Sequence, residues 1–107
     1  MEENKMEVQK ITKNNFKSEV LESTQKVLID FYADWCGPCK MLSKVMEQVE
    51  DKYKIIKVDI DESEELARLN GINVVPTIQI YKNGSLLATK SGYMDKNELI
   101  NWIERYK

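Results

Sequence analysis

A near-continuous apolar run, KVLIDFYA (26–33), and a second strand-like stretch, YKIIKVDI (53–60), constrain this chain more than any other feature. Both are rich in branched and aromatic residues. Neither alternates in the way a half-wet strand does, so each reads as a strand covered on both faces. Between them, from Pro38 to Lys52, residues Met41, Leu42, Val45, Met46 and Val49 fall on one helical stripe. Pro38 suits the first turn of that helix. Strand, helix and strand in this order require a parallel pair joined by a right-handed crossover.

The remaining elements extend the pattern. MEVQKI (6–11) alternates and reads as a short strand, and NNFKSEVLES (14–23) as a helix with Phe16, Val20 and Leu21 on its apolar face. Asn14 or Asn15 is available as its cap. DESEELARLNG (61–71) reads as a short helix with Asp61 as cap, Glu64 reaching back and Gly71 as the stop. TIQIYK (77–82) and SLLATKSG (85–92) flank Asn83-Gly84, a strong hairpin signal that makes the last two strands antiparallel. DKNELINWIERYK (95–107) reads as a final amphipathic helix. Asp95 and Glu98 form its capping box, and Leu99, Trp102, Ile103 and Tyr106 its buried stripe. The order β-α-β-α-β-α-β-β-α predicts an α/β fold, a mixed sheet with helices on both faces.

At 107 residues the whole chain, 1–107, is expected to form one domain with a sufficient core. Net charge is −2, with 16 basic and 18 acidic residues interspersed, which speaks against a nucleic-acid face. The acidic stretch Asp59–Glu65 reads as a solvated helix start. MEENKMEVQK at the start has no apolar segment of the kind a secretory signal needs, and no run approaches a membrane span. A cytoplasmic, monomeric protein is therefore expected, with no membrane partner.

Both cysteines of the chain lie in WCGPCK (35–40), between the end of one buried strand and the start of the next helix. A bridge between Cys36 and Cys39 would close too short a loop to constrain the unfolded chain much, so stapling explains it poorly. Redox chemistry and half a metal site are the alternatives. The chain has no histidine and no further cysteine, so a zinc site would require two copies sharing their pairs. The absence of histidine also excludes Cys–His and Ser–His–Asp catalysis. Cys36 falls just ahead of the helix and Cys39 within its first turn. A thiolate there is stabilised by unpaired backbone N–H groups and the positive end of the helix dipole. Cys36 is expected to attack and Cys39 to resolve. Gly37 lets the loop bend, and Pro38 fixes it without needing an N–H.

VLIDFYADWCGPCKM (27–41), KVDID (57–61), VPT (75–77), YKNG (81–84) and Gly92 together closely resemble the thioredoxin family, across about residues 16–106. The resemblance implies a five-stranded mixed sheet flanked by four helices. It implies reduction of protein disulfides by dithiol–disulfide exchange, with no bound cofactor. Recharging would come from a flavoprotein thioredoxin reductase drawing electrons from NADPH. Asp30, an acid inside an apolar strand, would pass protons for Cys39, with Lys57 nearby; on position alone Asp30 reads equally as half of a structural ion pair. Pro76 would follow a cis bond and face the thiols, leaving the Val75 backbone free to pair with substrate. Trp35, Gly71, Ile72, Val75, Gly92 and Tyr93 would form a shallow apolar collar around Cys36; for Trp35 the plainer reading is core packing.

Three positions depart from the family pattern. Tyr32 stands for a frequent tryptophan. Lys44 replaces a common mid-helix proline, which predicts a straighter helix. Val74 replaces a frequent glycine and would narrow the choice of partner. Two other functions compete with disulfide reduction. One is an oxidase or isomerase, which usually carries a histidine or a more acidic loop at the site. The other is a binding module that uses the scaffold without redox chemistry.

Overall fold

A computed structural model of the protein describes residues 9–10 and 13–106. The elements are β1 (Gln9–Lys10), α1 (Lys13–Phe16, continued by a π-helical turn Lys17–Leu21), β2 (Val27–Tyr32), α2 (Gly37–Glu47), β3 (Lys54–Asp59), α3 (Glu64–Leu69), β4 (Thr77–Lys82), β5 (Ser85–Ser91) and α4 (Lys96–Glu104). They build one five-stranded sheet in the order β1-β3-β2-β4-β5. β1 and β2 run parallel to β3, and β4 runs antiparallel to both β2 and β5. Four strands are full length, and β1 is a two-residue edge. Residues 6–8 and 11 of the expected first strand, and the proposed Asn14 cap, lie outside the described residues and side chains.

The apolar run of β2 is covered on both faces, as its composition requires. One core holds Leu28 and Ile55 with Leu42, Val45 and Met46 of α2 and Leu99 and Ile103 of α4. The other holds Val27, Ile29 and Phe31 with Phe16 and Val20 of the first helix and Leu66 of α3. α2 and α4 thus cover one face, α1 and α3 the other. Alternation along β2 sends Leu28 and Asp30 to the α2 side together.

Local signals in the sequence explain most element ends. Asn83 and Gly84 both have positive φ, 53° and 81°, as a two-residue primed turn demands. A Cβ on Gly84 would also stand 3.0 Å from the Leu21 carbonyl oxygen. The Asp95 carboxylate accepts from Glu98 N–H, and the Glu98 carboxylate accepts from Asp95 N–H, a complete capping box. α3 ends in a Schellman motif. Gly71, at φ 72°, donates to Arg68 O, and Ile72 N–H donates to Ala67 O.

Several expectations need correction. The first helix is not a regular α-helix. Glu22 N–H donates to Lys17 O, an i→i−5 bond. The wider turn keeps Phe16 and Val20 buried but turns Leu21 outward. Asn15 lies inside α1 rather than capping it. Met41 is exposed, one residue off the Leu42–Val45–Met46–Val49 stripe. α2 stops at Glu47 rather than Lys52. The cap of α3 is Ser63, not Asp61, and no side chain closes it. The Asp59 carboxylate instead accepts from the N–H groups of Asp61 and Glu62 and shapes the approach.

Candidate active site

β2 delivers the chain to Ala33, and the Cys36 N–H donates back to the Ala33 carbonyl at 3.2 Å. This turn places Cys36 at the N-cap of α2, with Gly37 and Pro38 opening the helix. The two cysteines form a disulfide across a Cα–Cα distance of 5.3 Å. Cys39 N–H points at Cys36 Sγ, 3.1 Å away. In the reduced protein the same donor, with the helix dipole behind it, would face a Cys36 thiolate and lower its proton affinity. Cys36 is 6 % exposed and Cys39 1 %. Both are therefore well covered, and the expected contrast in access is only a narrow opening at Cys36.

Ala33, Cys36 and Cys39 form their own small cluster, against which Tyr32, Ile60 and Val75 pack. Val75 is partly buried on this cluster. The Val75–Pro76 bond is cis. Pro76 is buried, and its carbonyl accepts from Gly92 N–H at 2.9 Å, which joins Gly92 to this loop. Thr77 Oγ1 lies 2.8 Å from both Val74 O and Ser91 Oγ. With one proton to give, it donates to the carbonyl and accepts from Ser91, fastening the loop from two sides. The backbone of Val75 makes no hydrogen bond among the described residues.

The rim is apolar and open. Trp35 is 70 % exposed, not core, and its indole N–H donates to Asp61 Oδ2 at 2.9 Å. That bond orients a ring that would otherwise swing freely, and it gives Asp61 a role other than capping. Val74 and Tyr93 are exposed, whereas Ile72 is half-buried. Ile72 packs with the α1–α3 core rather than with the sulfur cluster. With Ile60, Ala67, Arg68 and Gly71 it lines a groove beside the site.

Asp30, three residues before Ala33 on β2, is fully buried, and neither carboxylate oxygen has a hydrogen-bond partner. Burial pushes its carboxyl up from 3.8 to about 6, and the positive charge of Lys57 opposes the rise only in part. Lys57, mid-strand and half-buried, is the register partner of Asp30 across β2 and β3. No ion pair joins them. The Lys57 ammonium donates to Ser43 Oγ at 2.8 Å and sits 4.3 Å from the centre of the Tyr32 ring. Of the two readings of Asp30, the structural ion pair is thus not what is formed.

Sequence reasoning missed Ser43, Ile60 and Ala33. Ser43 stands four residues after Cys39, a spacing that shares a helix side and could have drawn attention to it. Among the described residues no group of three or more His, Cys, Asp or Glu side chains is gathered closely enough to hold a metal ion. No helix among them is long and apolar enough to cross a membrane.

The family model for thioredoxin matches residues 7–105. The thioredoxin of Rickettsia prowazekii is 43% identical over 102 residues, covering 92% of this chain and 97% of the relative. Thioredoxin 1 of Synechococcus elongatus is 39% identical over 100 residues, covering 90% and 94% respectively. A crystal structure of Malassezia sympodialis thioredoxin superposes with a TM-score of 0.82 at 38% identity, covering 94% of this chain and 90% of that one.

Proposed function

Because this chain belongs to the thioredoxin family, we propose that it is a protein-disulfide reductase working by thiol–disulfide exchange, as a single domain spanning 1–107. The observation that carries the reading is Cys36 at the N-cap of α2 with the Cys39 N–H aimed at its sulfur.

The reduced protein attacks through the Cys36 thiolate, which bonds to one sulfur of a substrate disulfide. The substrate S–S bond breaks, and its other sulfur leaves as a thiolate that takes a proton from water. Cys39 then gives its proton to the Asp30 carboxylate and attacks Cys36 Sγ. The mixed disulfide breaks and the second substrate thiolate departs. Two electrons have passed to the substrate, and the protein carries the Cys36–Cys39 disulfide. Lys57 supplies the positive charge that keeps Asp30 ionisable.

Substrate binds across Trp35, Ile72, Val75, Pro76, Gly92 and Tyr93. The unpaired Val75 backbone adds strand-like hydrogen bonds. The shallow apolar rim suits brief contact with many partners. A flavoprotein thioredoxin reductase, fed by NADPH, returns the dithiol form, and the protein works as a cytoplasmic monomer.

An insulin turbidity assay with dithiothreitol tests the reading. Wild type accelerates precipitation, and Cys36→Ser falls to the rate of dithiothreitol alone. Equal rates for the two proteins would refute disulfide reduction at this site and favour the redox-independent binding module.

A further inference from the structure

The Lys57 ammonium is held by the wrong partner for an ion pair. Its register neighbour Asp30 is buried with two unsatisfied oxygens, yet the ammonium donates to Ser43 Oγ on α2. Ser43 lies one turn beyond Cys39, on the side of the helix that also buries Leu42 and Met46. Among the described residues, the one other carboxylate on Asp30's face of the sheet is Asp59, two residues beyond Lys57 on β3 and paired with Tyr32, and its Oδ1 already accepts from the N–H groups of Asp61 and Glu62. The partner of Asp30 on β4 is Ile78, and its same-face neighbours on β2 are Leu28 and Tyr32. α2 packs Leu42 into the core with Leu28, reaches Lys57 through Ser43, and carries Cys39 one turn before Ser43. Lys57 on β3 is the charged group acting on the Asp30 carboxylate.

We propose that Ser43 is a positioning residue: its hydroxyl holds the Lys57 ammonium against α2 and off Asp30, keeping that carboxylate free to accept the proton of Cys39. This rests on the exchange mechanism above. A direct Lys57–Asp30 pair would hold the carboxylate in its charged form and make it a poor proton acceptor. A more distant ammonium steadies the charge without consuming the oxygens. The cation–π contact with Tyr32 supplies a second point of hold. Remove the hydroxyl, and Asp30, with both oxygens unsatisfied, has more acceptor capacity left for the ammonium than Asp59, whose Oδ1 already takes two N–H groups.

The test follows the Asp30 carboxyl by carbon-13 NMR in oxidised and reduced protein, alongside the pH profile of insulin reduction. In Ser43→Ala the Asp30 midpoint should fall by about one pH unit, because Lys57 relaxes onto it. Ser43→Thr, which keeps the hydroxyl, should titrate like wild type. In a Lys57→Met background, adding Ser43→Ala should produce no further shift. A midpoint that stays put or rises in Ser43→Ala, or an equal fall without Lys57, overturns the role of Ser43. The titration needs no turnover, so it stands apart from the Cys36→Ser control, whose failure would strike the exchange mechanism instead.

Discussion

Asp30 shows what a single residue can store. Its side chain is fully buried without a partner, and the ionised form bears the cost of burial. A carboxyl with a folded value of about 6 and an ordinary value of 3.8 is neutral for folding while protonated in both states and opposes folding once the unfolded form ionises. The resulting penalty vanishes well below 3.8, grows as pH rises between those values, and is complete above the folded one. Relative to Asp30→Asn, wild type should therefore lose about 2 kcal/mol of stability between pH 4 and pH 8, by the conversion of pKa shift to free energy. Denaturant midpoints of both proteins at the two pH values check this. A constant difference across pH would mean that the carboxyl is not perturbed. The position of Asp30 in an apolar strand was legible from sequence, but its lack of an ion pair was not. That depends on where Lys57 points, and Ser43 on another element decides it.

At the scale of elements, helix ends followed their sequence signals wherever the signal was complete in itself. The box at the start of α4 needs only Asp95 and Glu98 three residues apart. Asp95→Ala removes the acceptor for Glu98 N–H and should cost about 1 kcal/mol, measured by chemical denaturation at neutral pH. A loss within error would show that neighbouring groups hold the helix start unaided. Asn83-Gly84 and Gly71 were readable for the same reason, because their φ values are demands of the local chain. The cap of α3 was misread because two carboxylates competed for the role. Asp59 shapes the turn, and the Trp35 indole claims Asp61, an assignment made 26 residues away. The π-helical turn of residues 17–21 has no local signature, since spacing alone cannot separate an i→i+4 from an i→i+5 bond.

At the scale of the whole molecule, the site is a meeting of segments far apart in sequence. The strand–helix junction brings the sulfurs, the loop before β4 brings Val75 and Pro76, and the end of β5 brings Gly92. Around them Trp35, Val74 and Tyr93 keep large apolar surface in water, which a folding chain left to itself would bury. If that surface grips protein substrates, Trp35→Ala should lower kcat/KM for insulin about tenfold, the equivalent of roughly 1.4 kcal/mol of lost apolar contact. Reduction of cystamine, too small to span the rim, should change little. Equal losses for both disulfides would move Trp35 from substrate contact to support of the thiols.

The sequence by itself determined the strand and helix order, the mixed sheet, the placing of Cys36 and Cys39 at a helix start, and the hairpin. Each is a matter of periodicity or of a backbone requirement met by neighbours in the chain. Only the tertiary structure decided that Asp30 stands unpaired, that Lys57 turns to Ser43, that Trp35 faces water, and that Ile72 rests on the α1–α3 core while it lines a groove beside the site. Those are choices among partners, and partners are set by which faces the packed layers bring together rather than by any residue's own preference.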